Sequence, residues 1–247
     1  MKKISIIIPA YNEEESLPFL FGRLNELTKK IENYEFEFLF VNDGSKDRTL
    51  EIIKEQRKID SRISYVDFSR NFGKEIAMIA GLDYVDSDAV IFMDADLQDP
   101  PELIIDFIKY WEQGYDDVYA KRKSRKGETF LKKFTSKMYY KVLQKLAGME
   151  IQKDTGDFRL VDRKVVDTIN SLPEHNKFLR GLFSWVGYKQ IAFEYERNEA
   201  ITVIVLTGII TGLLSAIGVF IGHKFGAKYK NKAELTGGLV LVLMGLK

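Results

Sequence analysis

The sequence predicts an α/β fold with a mostly parallel central sheet, and three observations support that prediction. Up to about residue 120, short apolar runs alternate with amphipathic segments in which apolar residues recur at helical spacing. Such alternation is typical of a parallel sheet that is covered by helices on both faces. Four polar clusters each follow a predicted strand, as expected where a parallel sheet binds ligands at the carboxyl ends of its strands. The 247-residue chain is long enough for one such domain and an appendage.

The predicted elements follow in order along the chain. The strands of the first half are 3–8, 35–42, 63–68, 88–94 and 116–120. The helices between them are 14–31, 46–58, 74–85 and 101–114. The second half predicts a basic helical stretch at 121–150, a strand at 156–161, a helix at 163–172, and an apolar turn with a last strand within 178–196.

Composition excludes several classes of function. The net charge of +1 gives no argument for a nucleic-acid partner. The sequence contains no cysteine, which excludes disulfides and thiolate chemistry. The first apolar run ends at Pro9 after five residues, whereas the apolar region of a signal peptide needs about 7–15. We therefore expect a first strand and a cytoplasmic start.

The cluster "DADLQD" predicts a metal site. Asp94 ends the strand 88–94, and Asp96 lies two residues further on. Residues i and i+2 of an extended segment point to the same side, so the two carboxylates converge and repel each other. A hard divalent cation, Mg²⁺ or Mn²⁺, would relieve that repulsion, and Gln98 offers a further oxygen. The alternative interpretation is an acidic turn on the surface.

Two other clusters suit a nucleotide. Asp43 of "NDGSKD" follows a strand, where a carboxylate can accept hydrogen bonds from a base or ribose. Asn-Asp-Gly is also strong turn chemistry, and Ser45 could cap the next helix. Lys74 follows Gly73 at a helix start, which suits a phosphate.

Taken together, "SIIIPAYNEE", "VNDGSKDRT", "SRNFGKEIAMIAGL" and "IFMDADLQDPPELI" resemble glycosyltransferase family 2 in order and spacing. With "AKRKSRKGETFLKKFTSKMYY", "TGDFRLVDRKVVD" and "FLRGLFSWVGYKQ", residues 1–197 look most like its polyprenyl-phosphate group, which contains dolichol-phosphate-mannose synthase and the bactoprenol glucosyltransferases. The resemblance implies a GT-A type nucleotide-sugar-binding fold. It implies inverting transfer of a sugar from a nucleotide sugar, with UDP-glucose or a similar UDP-sugar favoured, to a polyprenyl (undecaprenyl) phosphate. The enzyme would work at the cytoplasmic face of the cell membrane, as a homo-oligomer such as a tetramer.

The resemblance also assigns residues. Nucleotide-sugar binding falls to Pro9, Tyr11, Glu13, Asp43, Lys74 and Asp94. The metal ligands would be Asp94, Asp96 and Gln98, and the catalytic residues Asp96 and Asp157. Asp157 matches the family's candidate base, but an ionised phosphate needs little deprotonation, so Asp157 could instead orient the acceptor or an arginine. Binding of the acceptor phosphate falls to Arg122, Arg125, Lys133, Ser136 and Arg159.

The tail, 198–247, departs from that family. Residues 201–222 carry no charge and are long enough to span a bilayer; the alternative is a buried helix. A basic loop, 223–234, and an apolar segment too short to span, 235–247, complete the tail. This tail resembles the small manganese-efflux membrane proteins. We therefore expect a transmembrane or membrane-associated helical segment joined from another gene. The alternatives are a re-entrant segment or an exception to the rule that basic loops stay cytoplasmic. The alternative function is a non-catalytic or impaired fusion that only binds nucleotide sugar and membrane.

Overall fold

The computed structural model describes residues 1–122, 155–172 and 178–195. The chain divides into two compact units, Met1–Arg197 and Asn198–Lys247, and every described residue belongs to the first. The predicted helical stretch beyond residue 122 and the predicted segments of the tail lie outside the described residues.

A seven-stranded sheet forms the centre of the described unit, with strand order β3-β2-β1-β4-β6-β5-β7. β6 runs antiparallel to both of its neighbours, and the other neighbouring pairs are parallel. The prediction of a mostly parallel sheet is therefore confirmed. The strands are β1 Lys2–Ala10, β2 Tyr34–Asn42, β3 Ile63–Asp67, β4 Ala89–Phe92, β5 Asp117–Arg122, β6 Thr155–Asp162 and β7 Gln190–Tyr195.

Helices cover both faces of this sheet because its central strands are apolar on both sides. In β1, for example, Ile6 and Ile8 belong to one buried cluster, and Ile7 belongs to the other. The first cluster also takes in apolar residues of α1, α2 and α4, and the second takes in those of α3, α5 and α6. The described helices are α1 Leu17–Lys29, α2 Thr49–Ile59, α3 Lys74–Leu82, α4 Leu103–Glu112, α5 Arg163–Ser171 and α6 Leu179–Trp185.

One element differs in type from its prediction. The segment expected to form an apolar turn is the helix α6, which buries Leu179 and Phe183. Seven residues are fewer than two helical turns, so the apolar spacing was too short to indicate a helix. Among residues 1–122, 155–172 and 178–195, no helix is long and apolar enough to cross a membrane.

Candidate active site

The predicted nucleotide residues meet in one cleft at the carboxyl ends of β1, β2 and β4. Its volume is about 280 Å³. The lining contains all six side chains predicted to bind the nucleotide sugar, together with the loop before α3. The lining residues are Pro9, Ala10, Tyr11, Glu13, Asp43, Asn71, Gly73, Lys74, Asp94, Ala95 and Asp96.

Asp43 lines this cleft but also holds a loop. It is only 3% exposed, and its carboxylate accepts hydrogen bonds from the backbone N–H of Phe72 at 2.6 Å and of Gly73 at 2.9 Å. Gly73 has φ 99°, a left-handed value that favours glycine, and α3 begins at the next residue. Asp43 therefore positions the start of α3, and hence Lys74.

The predicted turn after β2 is present, although Ser45 does not cap α2. Ser45 donates its backbone N–H to the Asn42 side chain at 3.3 Å, and its hydroxyl accepts from Asn12 N–H at 3.0 Å. At the start of α2 it is Asp47 that accepts from Thr49 N–H, at 3.0 Å. The cluster therefore ties the loops after β1 and β2 together.

Gly44 lets the loop after β2 approach the loop after β3. Its φ is 65°, and a Cβ built on it would lie 2.3 Å from the Arg70 carbonyl carbon. Such a separation is far inside van der Waals contact, so only glycine fits here. The two loops that contribute Asp43 and Lys74 pack directly against each other for this reason.

The register of β6 brings Asp157 close to Asp94. Phe92 of β4 lies opposite Arg159 of β6 in an antiparallel pair, so continuing both strands by two residues places Asp94 opposite Asp157. Lys74 joins these two carboxylates. Its Nζ lies 2.6 Å from Asp94 Oδ1 and 2.7 Å from Asp157 Oδ2.

Arg180 completes the group from α6. Its guanidinium donates to Asp157 Oδ1 at 2.7 Å. Both oxygens of Asp157 are therefore engaged by cations, one by Arg180 and one by Lys74. Arg180 is not among the site residues predicted from the sequence. The available signal was a single charged residue within the apolar run "FLRGLF".

The charges shift the pKa values of the cleft in opposite directions. Burial raises the pKa of Asp94, and Lys74 offsets this only in part while Asp96 and Asp157 add to it. Burial also opposes ionisation of Asp157, but Lys74 and Arg180 outweigh it and lower its pKa. Burial raises the pKa of Glu13, with Asp96 and Asp94 contributing. The described part of the cleft is thus rich in negative charge, and both Lys74 and Arg180 contact Asp157.

The loop after β4 is tightly constrained. Asp96 Oδ1 accepts from the Gln98 backbone N–H at 3.0 Å, while Gln98 is exposed. Leu97 between them has φ 56°, a left-handed conformation that is uncommon for a leucine and typical of functional sites. The Tyr195 hydroxyl at the end of β7 donates to Asp99, which is buried.

Of the residues predicted to bind the acceptor phosphate, Arg159 is the one whose side chain the structure describes. Arg159 is 1% exposed, pairs with Asp117 at 3.0 Å, and its guanidinium lies 4.4 Å from the Phe183 ring centroid. A side chain so placed forms an internal ion pair, so the phosphate-binding role of Arg159 is not supported. The side chain of Arg122, and all of Arg125, Lys133 and Ser136, lie outside the described residues.

Comparison with known proteins gives two family matches. Residues 5–169 match the family described as glycosyl transferase family 2, and residues 190–247 match the one described as "Putative manganese efflux pump". The uncharacterized glycosyltransferase YkcC of Bacillus subtilis (strain 168) is 54% identical over 196 residues, 79% of this chain and 60% of that protein. The bactoprenol glucosyl transferase of Shigella phage SfX is 44% identical over 199 residues, 81% of this chain and 65% of that protein.

Solved structures show the same fold. Glucosyl-3-phosphoglycerate synthase from Mycobacterium tuberculosis, in complex with Mn²⁺, UDP and phosphoglyceric acid, has a TM-score of 0.54 at 19% identity, over 82% of this chain and 73% of that chain. This likeness supports the GT-A type of α/β fold. This chain spans about three fifths of the length of the relatives from Bacillus and the phage. The match over residues 190–247 agrees with the resemblance of the tail to manganese-efflux membrane proteins. Over its described unit, the chain belongs to glycosyltransferase family 2.

Proposed function

We propose that this chain is an inverting glycosyltransferase that moves a sugar from a nucleotide sugar to a polyprenyl phosphate. The observation that carries the proposal is the cleft in which Lys74 joins Asp94 and Asp157, at the carboxyl edge of a parallel sheet. A UDP-sugar such as UDP-glucose is the favoured donor. The name of the phage relative, a bactoprenol glucosyl transferase, supports both glucose and an undecaprenyl phosphate acceptor.

The cleft fits a divalent cation that takes few ligands from the protein. Asp94 and Asp96 supply carboxylates, and the Lys74 ammonium at 2.6 Å from Asp94 shows that positive charge is accommodated there. The described residues hold no group of three or more His, Cys, Asp or Glu that could form a metal site. Two carboxylates suffice for Mg²⁺ or Mn²⁺, which fill their shells with water and substrate phosphates. When bound, the ion stabilises charge on the leaving diphosphate; the Mn²⁺ and UDP named for the mycobacterial structure support this assignment.

The proposed transfer of the sugar requires little proton transfer to or from the protein. An oxygen of the acceptor phosphate attacks the anomeric carbon from the face opposite the diphosphate, a new C–O bond forms, and the bond to the nucleoside diphosphate breaks. The acceptor's second pKa is near ~6, so the attacking oxygen is largely ionised at neutral pH. Asp157 has both oxygens occupied by Lys74 and Arg180. We therefore assign Asp157 as an anionic anchor for these cations in place of a general base.

The acceptor side of the proposal rests on the resemblance. Arg122, Arg125, Lys133 and Ser136 are proposed to hold the acceptor phosphate because arginine forks match phosphate geometry. Location at the cytoplasmic face of the cell membrane follows from a lipid acceptor and a cytoplasmic nucleotide sugar. A homo-oligomer such as a tetramer is proposed from the resemblance to related membrane enzymes.

One experiment tests donor and acceptor separately. UDP-glucose binding is measured by calorimetry with Mn²⁺, and transfer of labelled glucose to undecaprenyl phosphate is measured in detergent. We expect binding and transfer in the wild-type chain, and loss of transfer in Asp96→Asn with the fold retained. Failure of the wild-type chain to bind any nucleotide sugar with Mn²⁺ would contradict the proposal.

The second candidate is an impaired fusion that binds nucleotide sugar and membrane without transferring the sugar. The observation in its favour is that residues 190–247 match a family unrelated to sugar transfer. This candidate predicts normal UDP-glucose binding without transfer. Replacing residues 198–247 by the corresponding part of the Bacillus relative should then restore transfer, whereas activity of the unaltered chain would dismiss it.

A further inference from the structure

The cleft contains an internal cation at the position that the proposed function gives to a metal. Lys74 Nζ lies 2.6 Å from Asp94 Oδ1, within direct ion-pair distance. Asp94 is a predicted ligand of the divalent ion, and a cation bound to either oxygen of this carboxylate would lie close to the ammonium and be repelled by it. The ion and Lys74 must therefore compete for Asp94.

Lys74 is held from two directions, which limits where it can go. Its own position is fixed at the first residue of α3, behind Gly73, whose N–H is bound by Asp43 at 2.9 Å. Its Nζ also lies 2.7 Å from Asp157, which is 16% exposed. If Asp94 is taken by another cation, Asp157 is the remaining anionic partner within reach.

Asp157 is in turn held by α6. Glu75, which follows Lys74, accepts the backbone N–H of Leu179 at 3.2 Å, and the next residue, Arg180, donates to Asp157 at 2.7 Å. The starts of α3 and α6 are thus docked together with Asp157 between their cations. This arrangement keeps Asp157 in place whichever partner Lys74 has.

We infer that Lys74 is an internal counter-ion that competes with the divalent cation for Asp94, and that Asp157, positioned by Arg180, retains Lys74 in the cleft after the exchange. The inference rests on the proposed function and deepens it. Once displaced from Asp94, Lys74 is available to the diphosphate of the nucleotide sugar, because it lines the cleft proposed for that donor. Metal and nucleotide should therefore bind cooperatively, because the negatively charged diphosphate replaces Asp94 as the ion-pair partner of Lys74 when the metal binds Asp94.

The test measures metal binding directly, on the intact 247-residue chain. Mn²⁺ affinity is determined by calorimetry with and without UDP, for the wild-type chain and for Lys74→Met. We expect Lys74→Met to bind Mn²⁺ without UDP about tenfold more tightly, a common size for effects of groups adjacent to metal ligands. UDP should strengthen Mn²⁺ binding less in Lys74→Met than in the wild-type chain.

Two controls separate this effect from a general change in charge or fold. Lys74→Arg keeps the charge and should leave Mn²⁺ affinity near the wild-type value. Lys109→Met removes an ammonium from an exposed ion pair on α4, 2.9 Å from Asp106, and should also change little because exposed charges are screened. Lys74→Gln serves as the second variant if thermal melting shows that Lys74→Met does not fold.

The outcomes distinguish the inference from the proposed function. Equal or weaker Mn²⁺ binding in folded Lys74→Met or Lys74→Gln would overturn the inference while leaving the proposed function standing. Tighter binding in Lys109→Met as well would also overturn it, since the effect would then be one of net charge. Absence of both Mn²⁺ and UDP binding in the wild-type chain would instead reject the proposed function.

Discussion

The packing of two cleft loops on Gly44 gives a prediction whose size can be worked from the structure. In Gly44→Ala, the new Cβ would lie 2.3 Å from the Arg70 carbonyl carbon, whereas carbon atoms in contact are about 3.5–4.0 Å apart. The two loops must therefore separate by more than an ångström. Inserting a methyl group where there is no space for it costs about 1–3 kcal/mol, and placing alanine at a left-handed φ adds about 1–2 kcal/mol.

Gly187→Ala is the matched control. Its φ of 73° is close to the 65° of Gly44, but nothing lies within 4 Å of its Cβ position. Urea unfolding should show a loss of about 1–2 kcal/mol for Gly187→Ala and about 2–5 kcal/mol for Gly44→Ala. Because the displaced loops carry Asp43 and Lys74, UDP affinity should fall in Gly44→Ala alone. Equal losses of stability in the two variants would refute the reasoning from close approach.

Two further predictions concern carboxylates with shifted pKa values. Lys74 and Arg180 outweigh burial and lower the pKa of Asp157. Asp157→Asn should therefore reduce the transfer rate about 10–100-fold but keep the shape of the pH–rate profile. Loss of the acidic limb of that profile in the variant would instead identify Asp157 as the general base. Burial outweighs Arg159 and raises the pKa of Asp117 from 3.8 to about 6, so the folded chain holds a proton that the unfolded chain releases. The contribution of Asp117 to the free energy of unfolding should therefore fall as pH rises from 3.8 to about 6. Urea unfolding at a series of pH values should show a weaker pH dependence of stability in Asp117→Asn than in the wild-type chain. An equal pH dependence in the two would contradict this prediction.

Local patterns were sufficient to predict most of the described elements. The apolar spacing of Leu20, Leu24 and Leu27 in α1 and the buried run of β4 are properties of short windows, and the structure buries these residues. Loops at the carboxyl ends of parallel strands converge by geometry, which is why the residues predicted to bind the nucleotide lie together in one cleft. The expectation that these residues lie together needed only that the strands are parallel and that their following loops share one edge of the sheet.

Contacts between distant segments were not predictable in the same way. β6 enters the sheet antiparallel between β4 and β5, and only this insertion brings Asp157 opposite Asp94. The buried partner of Arg159 is Asp117, 42 residues away in the chain, and no local period indicates that an arginine in a strand will point into the interior. Arg180 escaped assignment because the helix that carries it is too short to show periodicity.

The position of the tail match limits what a fusion could have changed. The manganese-family match begins at residue 190, yet β7, Gln190–Tyr195, pairs with β5 along its whole length. At the end of that strand, Tyr195 donates its hydroxyl to buried Asp99 in the loop that follows Asp94 and Asp96. A join within β7 would have had to preserve both the pairing with β5 and this hydrogen bond. A join after Tyr195 would leave both the pairing with β5 and this hydrogen bond intact.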